Sequence, residues 1–137
     1  MVAARRIAWQ IYRVLIALIF VACIVQIFLA GRGVFGIHGG TKLDDQSSFD
    51  AHRNLGEIIG IGTLIVLLLA LIMWDKRLII WTFVLALLAE VVQHATATPM
   101  HPWVGGLHPV SGVAILGISG YLAHQAWARR RTAAPAG

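Results

Sequence analysis

Residues 52–74 read HRNLGEIIGIGTLIVLLLALIMW. A histidine stands at the mouth of an apolar run long enough for the roughly 20 residues with which a helix crosses the hydrocarbon core of a bilayer. A glycine, Gly56, follows four residues after His52, one helical turn further in, and Thr63 falls on the same face eleven residues after it. The chain repeats this arrangement: His108 opens its last apolar run, with Gly112 four residues later and Ser119 eleven. Two such helices, set face to face, would hold two imidazoles above a slot lined by small side chains.

Further apolar runs flank this one, so that helices are expected at about 7–30, 53–74, 78–97 and 107–128. The chain has 137 residues, of which 58% are hydrophobic and 12% charged, against about 25% charged in soluble domains. The sequence therefore predicts an all-α fold, a single polytopic membrane four-helix bundle spanning residues 1–137 in up-down-up-down order, with residues 31–52 as an outer loop. The first run follows Arg5 and Arg6, but its apolar core exceeds the roughly 7–15 residues of a signal peptide, and it reads as a spanning helix.

The net charge of +5 would suit a nucleic-acid partner if it were clustered on a soluble face. It is distributed as topology instead. Arg5, Arg6 and Arg13 flank the start of the first run, Lys76 and Arg77 separate the second from the third, and Arg129, Arg130 and Arg131 close the fourth. By the positive-inside rule that end, with both termini, is cytoplasmic, and the lipid bilayer of a bacterial plasma membrane is the expected setting. No phosphate loop, dinucleotide fingerprint, strand-borne nucleophile or nucleic-acid module occurs.

The connections differ in kind. Residues 31–51 are glycine-rich and then polar, with Gly36-Ile37-His38-Gly39-Gly40 suited to a lid over the outer mouth. Ser47, Ser48 and Asp50 are alternative N-caps for the second helix. Trp74-Asp75-Lys76-Arg77 is a tight turn, and the Pro- and Gly-rich segment 98–106 delivers the chain to His108. Gln26 is placed to bond a neighbouring helix, Gly56 and Gly60 form a small-xxx-small pair, and the lone Cys23 reads as a small buried apolar side chain.

The third run carries Glu90, Gln93 and His94, with Glu90 and His94 four apart on one face. A carboxylate inside an apolar span marks a candidate site. His38, His52, His94, His101 and His108 fall towards the non-cytoplasmic side, and only His124 lies at the other end. Imidazole supplies axial nitrogens to heme iron, and two histidines on facing helices clamp it from both sides. One b-type heme is therefore expected on His52 and His108, with Gly56 and Gly112 making room for the porphyrin and Arg53 near its propionates. Glu90 or His94 would tune the site. A non-heme zinc or iron site on His52, His94, His108 and Glu90 is a further candidate. A cofactor-free accessory subunit of a larger respiratory or other membrane complex is the alternative of a different class.

Phe49-Asp50-Ala51-His52-Arg53-Asn54-Leu55-Gly56 resembles the His-Arg segment that opens the second helix of a heme A synthase bundle. In that family histidines on the second and fourth helices ligate heme, which by position implies His52 and His108. The likeness covers one bundle where most members have two, and the glutamate usual just before the helix-2 histidine is missing, with Asp50 close by at another spacing. The His-Arg-x-Leu-Gly and Leu-His-Pro-x-x-Gly segments are also similar to those of small four-helix membrane families of unassigned function, a likeness that implies a fold and no activity.

Overall fold

The computed structural model describes residues 2–36, 48–97 and 101–132. Helix α1 is Val2–Gly36, α2 is Asp50–Met73, α3 is Lys76–Ala97, α4 is the single turn Pro102–Gly105 and α5 is Leu107–Thr132. Four helices, α1, α2, α3 and the stretch Pro102–Ala128 that includes α5, are long and apolar enough to cross a membrane. No strand occurs among the described residues.

Helix ends depart from the apolar runs where local chemistry outweighs hydropathy. Residues 31–36 continue α1 and residues 50–52 begin α2, so the connection is shorter than the expected 31–52 loop. The Phe49 ring packs on Gly33, where a Cβ would come within 2.6 Å of it, and ties the end of α1 to the start of α2. Residues 37–47, including His38 and Ser47 and with them most of the expected lid, lie outside the described residues. Neither Ser48 nor Asp50 caps α2. Phe49 is the N-cap and offers no side-chain acceptor, while Asp50 pairs with Arg53 one turn on.

The turn between α2 and α3 behaves as its sequence predicts. Trp74 takes the left-handed conformation at φ 57° and donates its N–H to Ala70 O and Leu71 O at 3.0 and 3.1 Å. The Asp75 carboxylate then caps α3, accepting from the N–H groups of Arg77 at 3.1 Å and Leu78 at 3.2 Å. Inside α3 the residues Leu88–Val92 form a π-helical turn, closed by the Gln93 N–H on Leu88 O. Such turns shift the register of the residues beyond them and recur at functional positions.

Helix α1 packs against α2 and α5, and α3 closes the ring against the same two helices, so that α2 and α5 stand across a diagonal. Tyr12, Ile16, Val66, Leu85 and Leu122 are buried at the centre, while Phe28, Ile58, Ile80 and Val110 are among the large apolar side chains facing outward. Outward-facing apolar side chains suit lipid, which is itself as apolar as leucine, so that close packing and polar contacts must specify the assembly. The buried hydroxyls need no partner helix: Thr63, Thr82 and Thr96 donate to carbonyls of their own helices at 2.7 Å, and Ser119 to Leu116 O at 3.0 Å.

Two contacts fix one end of the bundle. The Arg13 guanidinium lies over Trp127, 4.8 Å from the ring centre, and Arg77 bonds the Tyr121 hydroxyl. The start of α1, the α2–α3 turn and the end of α5 therefore meet at one end. Gln26, His52, Gln93 and His108 meet at the other.

Candidate functional site

His52 sits in the first turn of α2 beside Gln26 of α1. The Gln26 amide donates to His52 O at 2.8 Å, and the His52 ring returns a bond from Nδ1 to Gln26 O at 3.2 Å. A carbonyl oxygen only accepts, so Nδ1 carries the hydrogen and Nε2 is left with its lone pair. The Gln26 amide nitrogen stands 3.4 Å from that Nε2.

His108 in the first turn of α5 repeats the arrangement with Gln93 of α3. The Gln93 amide donates to His108 O at 3.0 Å and to Ser111 Oγ at 2.9 Å, and His108 Nδ1 donates to Gln93 O at 3.2 Å. Thr96 Oγ1 lies 3.4 Å from the same ring nitrogen. Thus α1 is clasped to α2, and α3 to α5, by the same reciprocal pair of bonds. The two clasped imidazoles meet across the diagonal with ring centres 6.1 Å apart and planes inclined by 60°.

The glycines below the histidines serve this arrangement. A Cβ at Gly56 would stand 3.2 Å from the Gln26 amide nitrogen, and one at Gly112 would stand 3.4 Å from that of Gln93. Gly56 makes room for the Gln26 amide, whereas at Gly112 a Cβ would meet Gln93 at ordinary van der Waals distance, and in both places a protein amide lies against the glycine. The Oε1 atom of Gln26 is buried and has no hydrogen-bond partner among the described residues.

Glu90 follows the same logic one layer deeper. Its carboxylate occupies the space over Gly60, where a Cβ would overlap it. The small-xxx-small pair Gly56 and Gly60 thus accommodates two polar side chains rather than a bare helix backbone. His94 faces the α2–α3 side: its Nδ1 donates to Glu90 O at 2.7 Å and its Nε2 stands 3.5 Å from Glu57 Oε1. Among the described residues no three His, Cys, Asp or Glu side chains are grouped to hold a metal ion. The expected set of His52, His94, His108 and Glu90 does not assemble, because His94 is turned to Glu57 and Glu90 points at Gly60.

Arg53, expected near a propionate, is exposed and paired with Asp50. His101 is exposed at the start of α4, accepting the Val104 N–H on its carbonyl at 3.0 Å. Glu57 is the site residue that motif reading passed over, and Gln93 is named in the third run without a role. Gln93 had a signal: each glutamine precedes its histidine in the chain and lies in the outer third of the preceding spanning helix, as Gln26 does.

Fold and site together define a class, an all-helical bundle with four potential membrane spans whose halves each present one clasped histidine to the other. The chain belongs to a family of unknown function, DUF6220, which matches residues 26–99. That stretch opens on Gln26 and takes in α2 and α3, and so holds one complete clasp and the glutamine of the other. No curated protein and no solved structure matches the chain.

Proposed function

We propose that this protein is an integral membrane b-type heme protein, serving electron transfer or heme handling, with His52 and His108 as the axial pair. The carrying observation is the 6.1 Å between imidazole centres. A metal bound linearly between two imidazole nitrogens, each at about 2.0–2.1 Å, separates the ring centres by roughly 6 Å. The hydrogen bonds from each Nδ1 to a backbone carbonyl are the usual outer partners of a ligating histidine and leave each Nε2 with a lone pair, that of His52 facing the Gln26 amide at 3.4 Å, a contact that a metal would replace. The heme A synthase resemblance rests on the same two histidines.

The donor set suits heme, and the room for it is conditional. The amides of Gln26 and Gln93 lie against Gly56 and Gly112 and would have to swing aside to admit a porphyrin. When bound, heme supplies one-electron chemistry near one face of the membrane. The chain's own part is to hold two imidazoles in one tautomer and orientation and to surround them with apolar helices. The positive-inside rule favours a cytoplasmic setting in a bacterial cell for the basic end, with both termini. A larger respiratory complex is a fitting redox partner.

The glutamine-filled glycines also favour a second reading, in which the clasps are structural and the chain is a cofactor-free accessory subunit. Absorption spectra of the protein, expressed with ample heme and purified in mild detergent, separate the two. A sharp Soret band, with alpha and beta bands that strengthen on adding dithionite, supports the heme. A colourless protein supports the accessory role.

A further inference from the structure

The basic end of the bundle carries a groove that the histidine site does not use. A cavity of about 530 Å³ opens between α1 and α5, lined by Phe20, Gly120, Ala123, His124, Trp127 and Ala128. Its volume lies within the roughly 300–1,000 Å³ of small-molecule sites. Its walls are mainly apolar, and Phe20 reaches its floor because residue 120 is glycine, where a Cβ would come within 2.9 Å of the ring.

A cation stands beside the groove, against its Trp127 wall. Arg13 precedes Phe20 by seven residues and so lies on the same face of α1, two turns nearer the terminus. Its guanidinium stacks over Trp127, makes no ion pair among the described residues, and keeps its Nε buried without an acceptor. Arg77 is at the same end, where Asp75 is the one carboxylate among the described residues. A guanidinium held at membrane depth calls for an anion, and its planar fork fits phosphate.

We propose that this groove binds one acyl chain of an anionic phospholipid, with the phosphate held at Arg13. The apolar walls take the chain, the indole of Trp127 marks the boundary between chain and headgroup, and the Arg13 charge, which no described carboxylate pairs, selects a net negative lipid over a zwitterionic one.

The test uses the full chain in bilayers of phosphatidylcholine and phosphatidylglycerol, with bromine on the acyl chains of one lipid at a time to quench tryptophan. The Trp127 contribution is the difference between the protein and its Trp127→Phe variant. Brominated phosphatidylglycerol is expected to quench Trp127 with about fivefold higher apparent affinity than brominated phosphatidylcholine, the factor one basic side chain supplies at an anionic surface. Arg13→Gln should bring the ratio to unity. Equal quenching by the two lipids in the unaltered protein overturns the proposal and leaves ordinary annular lipid there, and so does a preference that survives Arg13→Gln. The comparison in the unaltered protein decides selectivity even if the variant fails to fold.

Discussion

The imidazoles of His52 and His108 stand 6.1 Å apart although they come from α2 and α5, the two helices that face each other across the diagonal of the bundle. Each ring is fixed by a bond from Nδ1 to a carbonyl of a third helix, α1 for His52 and α3 for His108. Under the heme reading His52→Ala and His108→Ala each abolish the low-spin spectrum. His94→Ala and His101→Ala leave its band positions in place, because neither side chain reaches the pair. Spectra of the four variants at matched heme content check this.

The clasps carry stability whether or not heme binds. Interhelical hydrogen bonds within a membrane average about 0.6 kcal/mol, with a maximum near 1.7. Gln26→Leu and Gln93→Leu should therefore each destabilise the bundle by roughly 0.6–1.7 kcal/mol, since each loses the amide bond to a histidine carbonyl. The clasps join different helix pairs but meet through imidazoles whose ring centres are 6.1 Å apart, so the double variant should depart from the sum of the singles by about 0.5 kcal/mol or more. Unfolding in mixed micelles of mild detergent and dodecyl sulfate measures both singles and the double.

Glu90 and Gly60 form a size-coupled pair. Gly60→Ala forces the carboxylate out of its seat, and because that is the far end of a flexible side chain the cost should be about 0.5–1.5 kcal/mol, that of a displaced rotamer. In the background of Glu90→Ala the same change should cost little, because the obstacle is gone. A double-variant cycle by the same unfolding assay reads the coupling, and equal costs in the two backgrounds would disprove the contact.

Asp75 caps α3 through two backbone N–H groups. Asp75→Ala should cost about 1 kcal/mol, whereas Asp75→Asn keeps an acceptor in place and should cost much less. Thermal unfolding followed by far-UV circular dichroism distinguishes the two.

Much of this protein was legible in its residues. The four apolar runs, the tight turn at Trp74-Asp75, and the placing of His52 and His108 at one depth all follow from hydropathy and chain order. Gln26 was expected to bond a neighbouring helix and does so. The extent of α1 beyond Ala30 was not legible, because the Phe49 ring that covers Gly33 arrives from another part of the chain. Nor was the use of the glycines: sequence shows an absent side chain, and only the neighbouring helix shows that Gln26, Glu90 and Gln93 fill the space.

By itself the sequence determined that the chain forms helices able to cross a membrane and which residues share each helical face, because hydropathy and the 3.6-residue period are local properties. The tertiary structure decided how each helix is rotated about its own axis. It placed α2 diagonally from α5, gave each histidine a glutamine, inserted a π-turn before Gln93, and turned His94 away to Glu57. Lipid is as apolar as the side chains it touches and prefers no rotation strongly. That choice falls to close contacts at glycine and to a few polar bonds between helices, which exist only once distant parts of the chain meet.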